Sequence, residues 1–263
     1  MERIVTGPVT AASPPQGMPL PAAALPDVAG LLDGVPRQRE LPAAVPIPVP
    51  TPAPAAPRPS VRPWHLLPGP AGTPFTFVYA AILAVTSVVA AVADPDLMQT
   101  LYQASSTDVA HLVRSPVLVL LASALWIAGG VLSPYALAFV LVLTALERRI
   151  GGARTACVFL AGHVLATLAT EIPVGLAVLV GHLPATSLHR LDYGISFGVA
   201  ASIGSVAGLL RPWLRWPLLT LTAGALLNDL IAFEDPMTDW GHLIALTIGV
   251  ASWPLVRRWA RTP

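Results

Sequence analysis

Asp192-Tyr193-Gly194-Ile195-Ser196-Phe197-Gly198 opens an apolar run that continues to Leu210. An acid, two glycines and a hydroxyl therefore stand at its mouth. In bilayer hydrocarbon a polar group is costly unless partnered, so such a cluster at the entrance of a membrane helix reads as a functional site. The plainer reading is a helix cap followed by small packing residues. The heptapeptide alone leaves both open, and the chain around it has to choose.

That chain has 263 residues, 54% of them hydrophobic and 11% charged. Its mean hydropathy of +0.68 is too high for an ordinary soluble domain. An all-α polytopic membrane bundle follows. The net charge of +1 points to no polyanion, and nothing resembles a nucleic-acid module, so the lipid bilayer and not nucleic acid is the expected partner. All fifteen basic residues are Arg, the composition of a high-GC bacterium. Cys157 is the one cysteine, which excludes an intrachain disulfide and reads as inert packing inside an apolar run. The histidines show no HExxH or CxxC-type spacing, so no metal and no cofactor are expected.

Upstream, residues 1–74 hold 19 of the 29 prolines, with a Pro-x-Pro run from Pro46 to Pro54. Proline lacks the amide donor and fixes φ, so this arm is expected to be disordered and prone to polyproline II. Its first 30 residues lack the basic and uninterrupted apolar regions of a signal peptide. The expected membrane domain is 75–260.

Six spans divide that domain: Phe75–Ala93, Tyr135–Leu146 with its flanks, Arg154–Glu171, Tyr193–Leu210, Trp216–Phe233 and Trp240–Trp259. A helix of about 20 apolar residues crosses roughly 30 Å of hydrocarbon. The stretch Pro116–Gly130 could be a seventh span or a piece that only dips into the membrane. The arginines choose the second. With six spans, Arg148, Arg149, Arg154, Arg211, Arg215, Arg257, Arg258 and Arg261 share one side, and Lys/Arg-rich short loops are cytoplasmic. Asp94, Asp96, Asp108, Glu171, Asp192, Asp229, Glu234, Asp235 and Asp239 then lie at or near the other face with only Arg114 and Arg190, and the N- and C-termini are cytoplasmic in a bacterial plasma membrane. Pro173–Leu183 is too short to cross and either extends the third helix past a proline kink or lies in the interface.

Inside the membrane, His163, Thr167, Thr170 and Glu171 fall at offsets 0, +4, +7 and +8, which places them on one helical face. That face points into the bundle, either to fix packing by hydrogen bonds or, through His163, to take part in chemistry. Gly194, Gly198 and Ser202 repeat every four residues on the fourth span, and His242, Ala245 and Gly249 share a face on the last. Two small faces in contact would bring Ser196 towards His242, both about 5 Å below the boundary set by Asp192 and Asp239. A hydroxyl beside a neutral imidazole is the geometry of nucleophilic catalysis.

These residues resemble the rhomboid superfamily. Glu147-Arg148-Arg149-Ile150-Gly151, Gly162-His163 through Glu171, and Asp192 through Gly198 look like a divergent actinobacterial rhomboid-like branch, and Gly241-His242-Leu243-Ile244-Ala245 with Gly249 is similar to its His-bearing sixth helix. The resemblance implies an intramembrane serine protease acting on transmembrane protein substrates, with Ser196 as nucleophile and His242 as base; Gly194 and His163 are the expected oxyanion or supporting groups, His163 as a substitute for the family's helix-two donors. Phe197 stands directly after the serine where the family has glycine, and the second span has no His-x-x-x-Asn. Those departures motivate the alternative, a silent relative that binds or chaperones membrane clients. A small transporter using His163, Glu171, Asp192 and Asp229 is the third class, without the inverted repeat that transporters show.

Overall fold

The computed structural model describes residues 66–262, and among them every regular element is helical. The expected arm lies outside the described residues except for its last few. Those form a turn: Thr73 N donates to Gly69 O at 2.9 Å and Gly69 N to Thr73 Oγ1 at 3.0 Å. Thr73 is fully buried, so ordered packing starts just ahead of Phe75.

Proline punctuates the chain. Helices α1 (Pro74–Val92), α2 (Pro95–Ala104), α4 (Pro116–Ser123), α5 (Pro134–Ala138), α9 (Pro212–Ala232) and α10 (Pro236–Ala251) all begin on it. At the first helical position the missing amide is no loss and φ is already helical. Side-chain caps complete several starts: Asp94 ahead of α2, Asp108 ahead of α3 (Val109–Arg114), Ser133 ahead of α5 and Asp235 ahead of α10. A π-helical turn, Phe139–Leu143, joins α5 to α6 (Thr144–Ile150) without a break. Gly151, at φ 84°, then makes the sharp reversal into α7 (Gly152–Leu179). The last elements are α8 (Ser196–Ala207) and α11 (Trp253–Trp259).

Both ambiguous pieces acquire a shape. Pro173 sits inside α7, which continues to Leu179, so Pro173–Leu183 mostly extends the third helix. Helix α4 has 8 residues and ends in turns through Gly129 and Gly130, both at positive φ. At about 1.5 Å per residue it is roughly 12 Å long and cannot cross a bilayer. Helices α1 and α7 are each long and apolar enough to do so. Cys157, expected in the packing, is exposed.

Helix α8 is the hub. Its residues Phe197–Ala207 are all buried, and it touches α7, α10, α9, α6, α5 and the π turn. Small residues let it sit this deep. A Cβ on Gly204 would lie 2.4 Å from Leu246 O, one on Gly249 2.0 Å from Ala201 O, and one on Gly162 2.1 Å from the Ala201 Cβ. Ala245 joins Ala166, Phe197, Ala200 and Ala201 in the same seam. The expected pairing of Gly194, Gly198 and Ser202 with the last helix is therefore corrected. Gly198 packs on Phe159 of α7, whose ring would stand 2.4 Å from a Cβ there, and α10 takes the Phe197–Ala201–Gly204 side instead. The outward faces of α1 and α9 expose Val85, Val88, Leu221 and Ile231, a surface suited to lipid and costly in water.

Charge divides the two ends. Glu147 at the end of α6 accepts from Phe75 N (2.9 Å), Thr76 N (2.7 Å) and Thr76 Oγ1 (2.6 Å), tying α6 to the start of α1. Arg154 donates to Trp259 O and Thr262 O at the same end. At the opposite end Arg190 meets Glu171, Asp192 and Asp235.

Candidate functional site

Ser196 is the first residue of α8, preceded by Tyr193-Gly194-Ile195, which lie outside the helix. That entry is held by backbone pairing: Gly194 N donates to Ser123 O (3.0 Å) and Ile195 N to Trp126 O (3.1 Å). Gly194 has φ 123°, which only glycine adopts readily, and a Cβ there would press on Ala128 at 3.4 Å. Its amide is thus engaged, so Gly194 shapes the entry and is not a free oxyanion donor. The first amide of α8 with a backbone acceptor is Val199, on Ile195 O. The Ser196, Phe197 and Gly198 N–H groups remain the open donors of a helix start.

His163 supports this entry from behind. Its Nε2 lies 3.0 Å from Ser123 Oγ and 3.1 Å from Leu120 O, so it anchors the end of α4, the segment whose carbonyls receive Gly194 and Ile195. The sequence offered His163 as an oxyanion or supporting group; the structure joins it to Ser123, not to Ser196. Below it on α7, Thr167 Oγ1 has no partner among the described residues, and Thr170 Oγ1 bonds back to Thr167 O and Ala166 O.

His242 is different. It is 6% exposed, and neither ring nitrogen has a hydrogen-bond partner among the described residues. Tyr135 of α5 stacks on it at 5.0 Å and 21°, and the Phe197 ring meets it edge-on at 5.1 Å. Buried polar groups are nearly always bonded, so two open nitrogens on one ring demand an explanation. No hydrogen bond joins Ser196 to His242. By helical rotation Ser196 shares its face with Val199 and Ile203, at offsets +3 and +7. Those two pack in the cluster that also receives Tyr135 and Leu243, so the serine's face looks to the neighbourhood of the Tyr135–His242 stack.

The acid-rich end closes over this entry. Arg190 Nη2 bonds Glu171 Oε1 at 2.5 Å and Asp192 Oδ2 at 3.5 Å, while Nη1 bonds Asp235 and Thr238 Oγ1. One guanidinium thus ties α7, the loop before α8 and the start of α10. Asp192 also accepts from Thr107 Oγ1 on its carboxylate and from Thr107 N on its backbone carbonyl, and its own amide donates to Ser106 Oγ. Burial raises the Asp192 pKa against the opposing pull of Arg190 and Thr107. For Arg190 burial works against the charge, and Asp192, Glu171 and Asp235 outweigh it, so its pKa is raised. Asp192 is consequently a brace of the loop and not the cap of α8, which has none from a side chain.

Tyr135 and Arg190 were not singled out by sequence. Tyr135 follows Ser133-Pro134 at a helix start, a visible signal of position, yet its partner lies more than a hundred residues away. Gly198, Ala245 and Gly249 serve packing as described.

A family model described as rhomboid-like protein matches residues 71–262. No curated protein and no solved structure matches the chain.

Proposed function

The chain belongs to the rhomboid-like family and is a membrane protein, and on that premise we propose that it is an intramembrane serine endopeptidase. Ser196 is the nucleophile and His242 the general base in this reading. What carries it is the buried His242 ring with both nitrogens open, lying against Phe197 at the first turn of the helix that Ser196 begins. A neutral imidazole takes the Ser196 proton as the oxygen attacks a peptide carbonyl, then returns it to the leaving amine. The unpaired first-turn amides of α8 suit the developing oxyanion, replacing donors that the second span lacks. Tyr135, stacked on His242, sets the plane of the ring. Apo geometry is commonly looser than the reacting complex, so the absent Ser196–His242 bond is compatible with this role.

The proposed setting is a bacterial plasma membrane crossed six times: α1, the rod from α5 to α6, α7, α8, α9, and α10 with α11. The arginine-bearing end faces the cytoplasm together with both termini. Substrates are transmembrane proteins cut near the opposite face.

In detergent, a fluorophosphonate probe is expected to label the wild-type chain and not Ser196→Ala. A folded wild type that resists the probe sinks the proposal. A second reading rests on the lack of a Ser196–His242 bond together with the Phe197 edge on the imidazole: a silent relative that grips a client helix. There, Ser196→Ala keeps client capture while Gly198→Leu, which forces a side chain into Phe159, loses it.

A further inference from the structure

Three arginines from three helices converge on the carbonyls that end α8. Arg149 Nη1 bonds Leu209 O at 2.5 Å, Arg215 Nε bonds Ala207 O at 2.9 Å and its Nη2 bonds Leu210 O at 2.8 Å, and Arg257 Nε bonds Gly208 O at 3.0 Å. Trp253 lies between two of them, 5.1 Å from Arg215 and 4.9 Å from Arg257. We infer that this cluster is a binding site for the phosphodiester headgroup of an acidic phospholipid.

The first argument is depth. Helix α8 has 12 residues, roughly 18 Å at about 1.5 Å each, against roughly 30 Å of hydrocarbon. Its entry and its end cannot both reach the membrane surface. On the proposed orientation the carbonyls at its end, with the guanidinium groups bonded to them, lie on the arginine side, where a recessed charge needs a headgroup beside it or is left in apolar surroundings.

The second is charge. None of the three arginines belongs to an ion pair among the described residues. The acid nearest in sequence, Glu147, spends its carboxylate on the amides of Phe75 and Thr76. Each guanidinium also keeps N–H groups with no acceptor among the described residues: Nε and Nη2 on Arg149, Nη1 on Arg215, and Nη1 and Nη2 on Arg257. Planar N–H pairs match the paired oxygens of a phosphate.

A third observation selects lipid over a soluble phosphate. The first turns of α9, which supply Arg215, expose Trp213, Leu214 and Trp216 beside the cluster. An indole belt with an apolar flank accepts acyl chains under a bound headgroup, and a free anion makes no use of it.

The test uses the full chain in phosphatidylcholine nanodiscs, with phosphatidylglycerol added in one arm and inorganic phosphate in the other. The readouts are the melting temperature and the lipid retained on extraction, identified by native mass spectrometry. Wild type is expected to retain phosphatidylglycerol over phosphatidylcholine by roughly tenfold or more and to melt higher in its presence. The double variant Arg149→Gln/Arg257→Gln is expected to lose that preference, while Arg258→Gln/Arg261→Gln, of equal charge change, keeps it. Should the first pair fail to fold, Arg257→Lys tests the fork alone, and a preference undiminished there overturns the site. Equal loss in both double variants overturns it in favour of diffuse attraction. Stabilisation by inorganic phosphate matching that by phosphatidylglycerol overturns the lipid assignment.

Discussion

His163 and His242 are both buried imidazoles on proposed spans, 2% and 6% exposed, each beside an aromatic ring. They differ in what their nitrogens do. His163 spends Nε2 on Leu120 O and Ser123 Oγ, holding the turn against which Gly194 and Ile195 pair, and only its Nδ1 is unpartnered. His242 spends neither nitrogen. A bonded ring is a brace whose removal costs stability; an open ring beside a serine-bearing helix is the one that the proposed mechanism uses to move a proton. Burial therefore does not distinguish the structural histidine from the candidate base, whereas the hydrogen-bond partners do.

The widest separation is expected from exchanging each ring for alanine. His242→Ala should cut fluorophosphonate labelling of Ser196 by about 10³-fold or more while the fold persists, as for loss of a general base. His163→Ala should instead destabilise by about 1–3 kcal/mol, removing a buried link from α7 to Ser123 and Leu120 and leaving those two only their bond to each other, and should keep measurable labelling. Thermal unfolding and labelling rates of both variants in one detergent would check this. A reversed pattern breaks the contrast.

A smaller effect should follow from Gly204→Ala. The added Cβ meets the backbone of α10 at Leu246 O and Val250 N, which cannot swing aside as a side chain does. About 1–3 kcal/mol of overpacking strain is expected, with α10 displaced from α8. Labelling should fall with stability because His242 rides on α10, while the His163–Ser123 contact on α7 and α4 stays. Cysteine crosslinking between α8 and α10 would report the displacement.

The smallest expected effect lies in the brace above the site. Because burial raises the Asp192 pKa, its contribution is full below its unfolded value, about pH 4, and is lost as pH rises through the native value. Relative to Asp192→Asn, the wild type should therefore be favoured more in acid than near neutrality. Melting temperatures of the two proteins across that range measure the trend, and a gap that widens towards neutrality would contradict it.

Much of the layout was legible beforehand. The first helix falls within a residue of its expected bounds, at Pro74–Val92, because a run of apolar residues closed by Asp94-Pro95 is a one-dimensional signal. The gathering of Arg149, Arg154, Arg215 and Arg257 at one end and of Glu171, Asp192 and Asp235 at the other was legible for the same reason. Harder to read was the direction of α8. It carries small residues on several sides, so periodicity allowed Gly198 to face α10 when Phe159 of α7 occupies that place.

By itself, then, the sequence determined a helical membrane chain of the rhomboid-like kind, where several of its helices start, and which end gathers most of the arginines. Hydropathy, proline and charge act locally, so they can be read in order along the chain. Only the tertiary structure decided that His163 binds Ser123, that Tyr135 stacks on His242, that Arg190 joins Glu171 to Asp192 and Asp235, and that three arginines close the end of α8. Each of these joins elements distant in the chain, and their partners are chosen by how helices rotate against one another, a choice set by side-chain volume across the contact and invisible to local pattern.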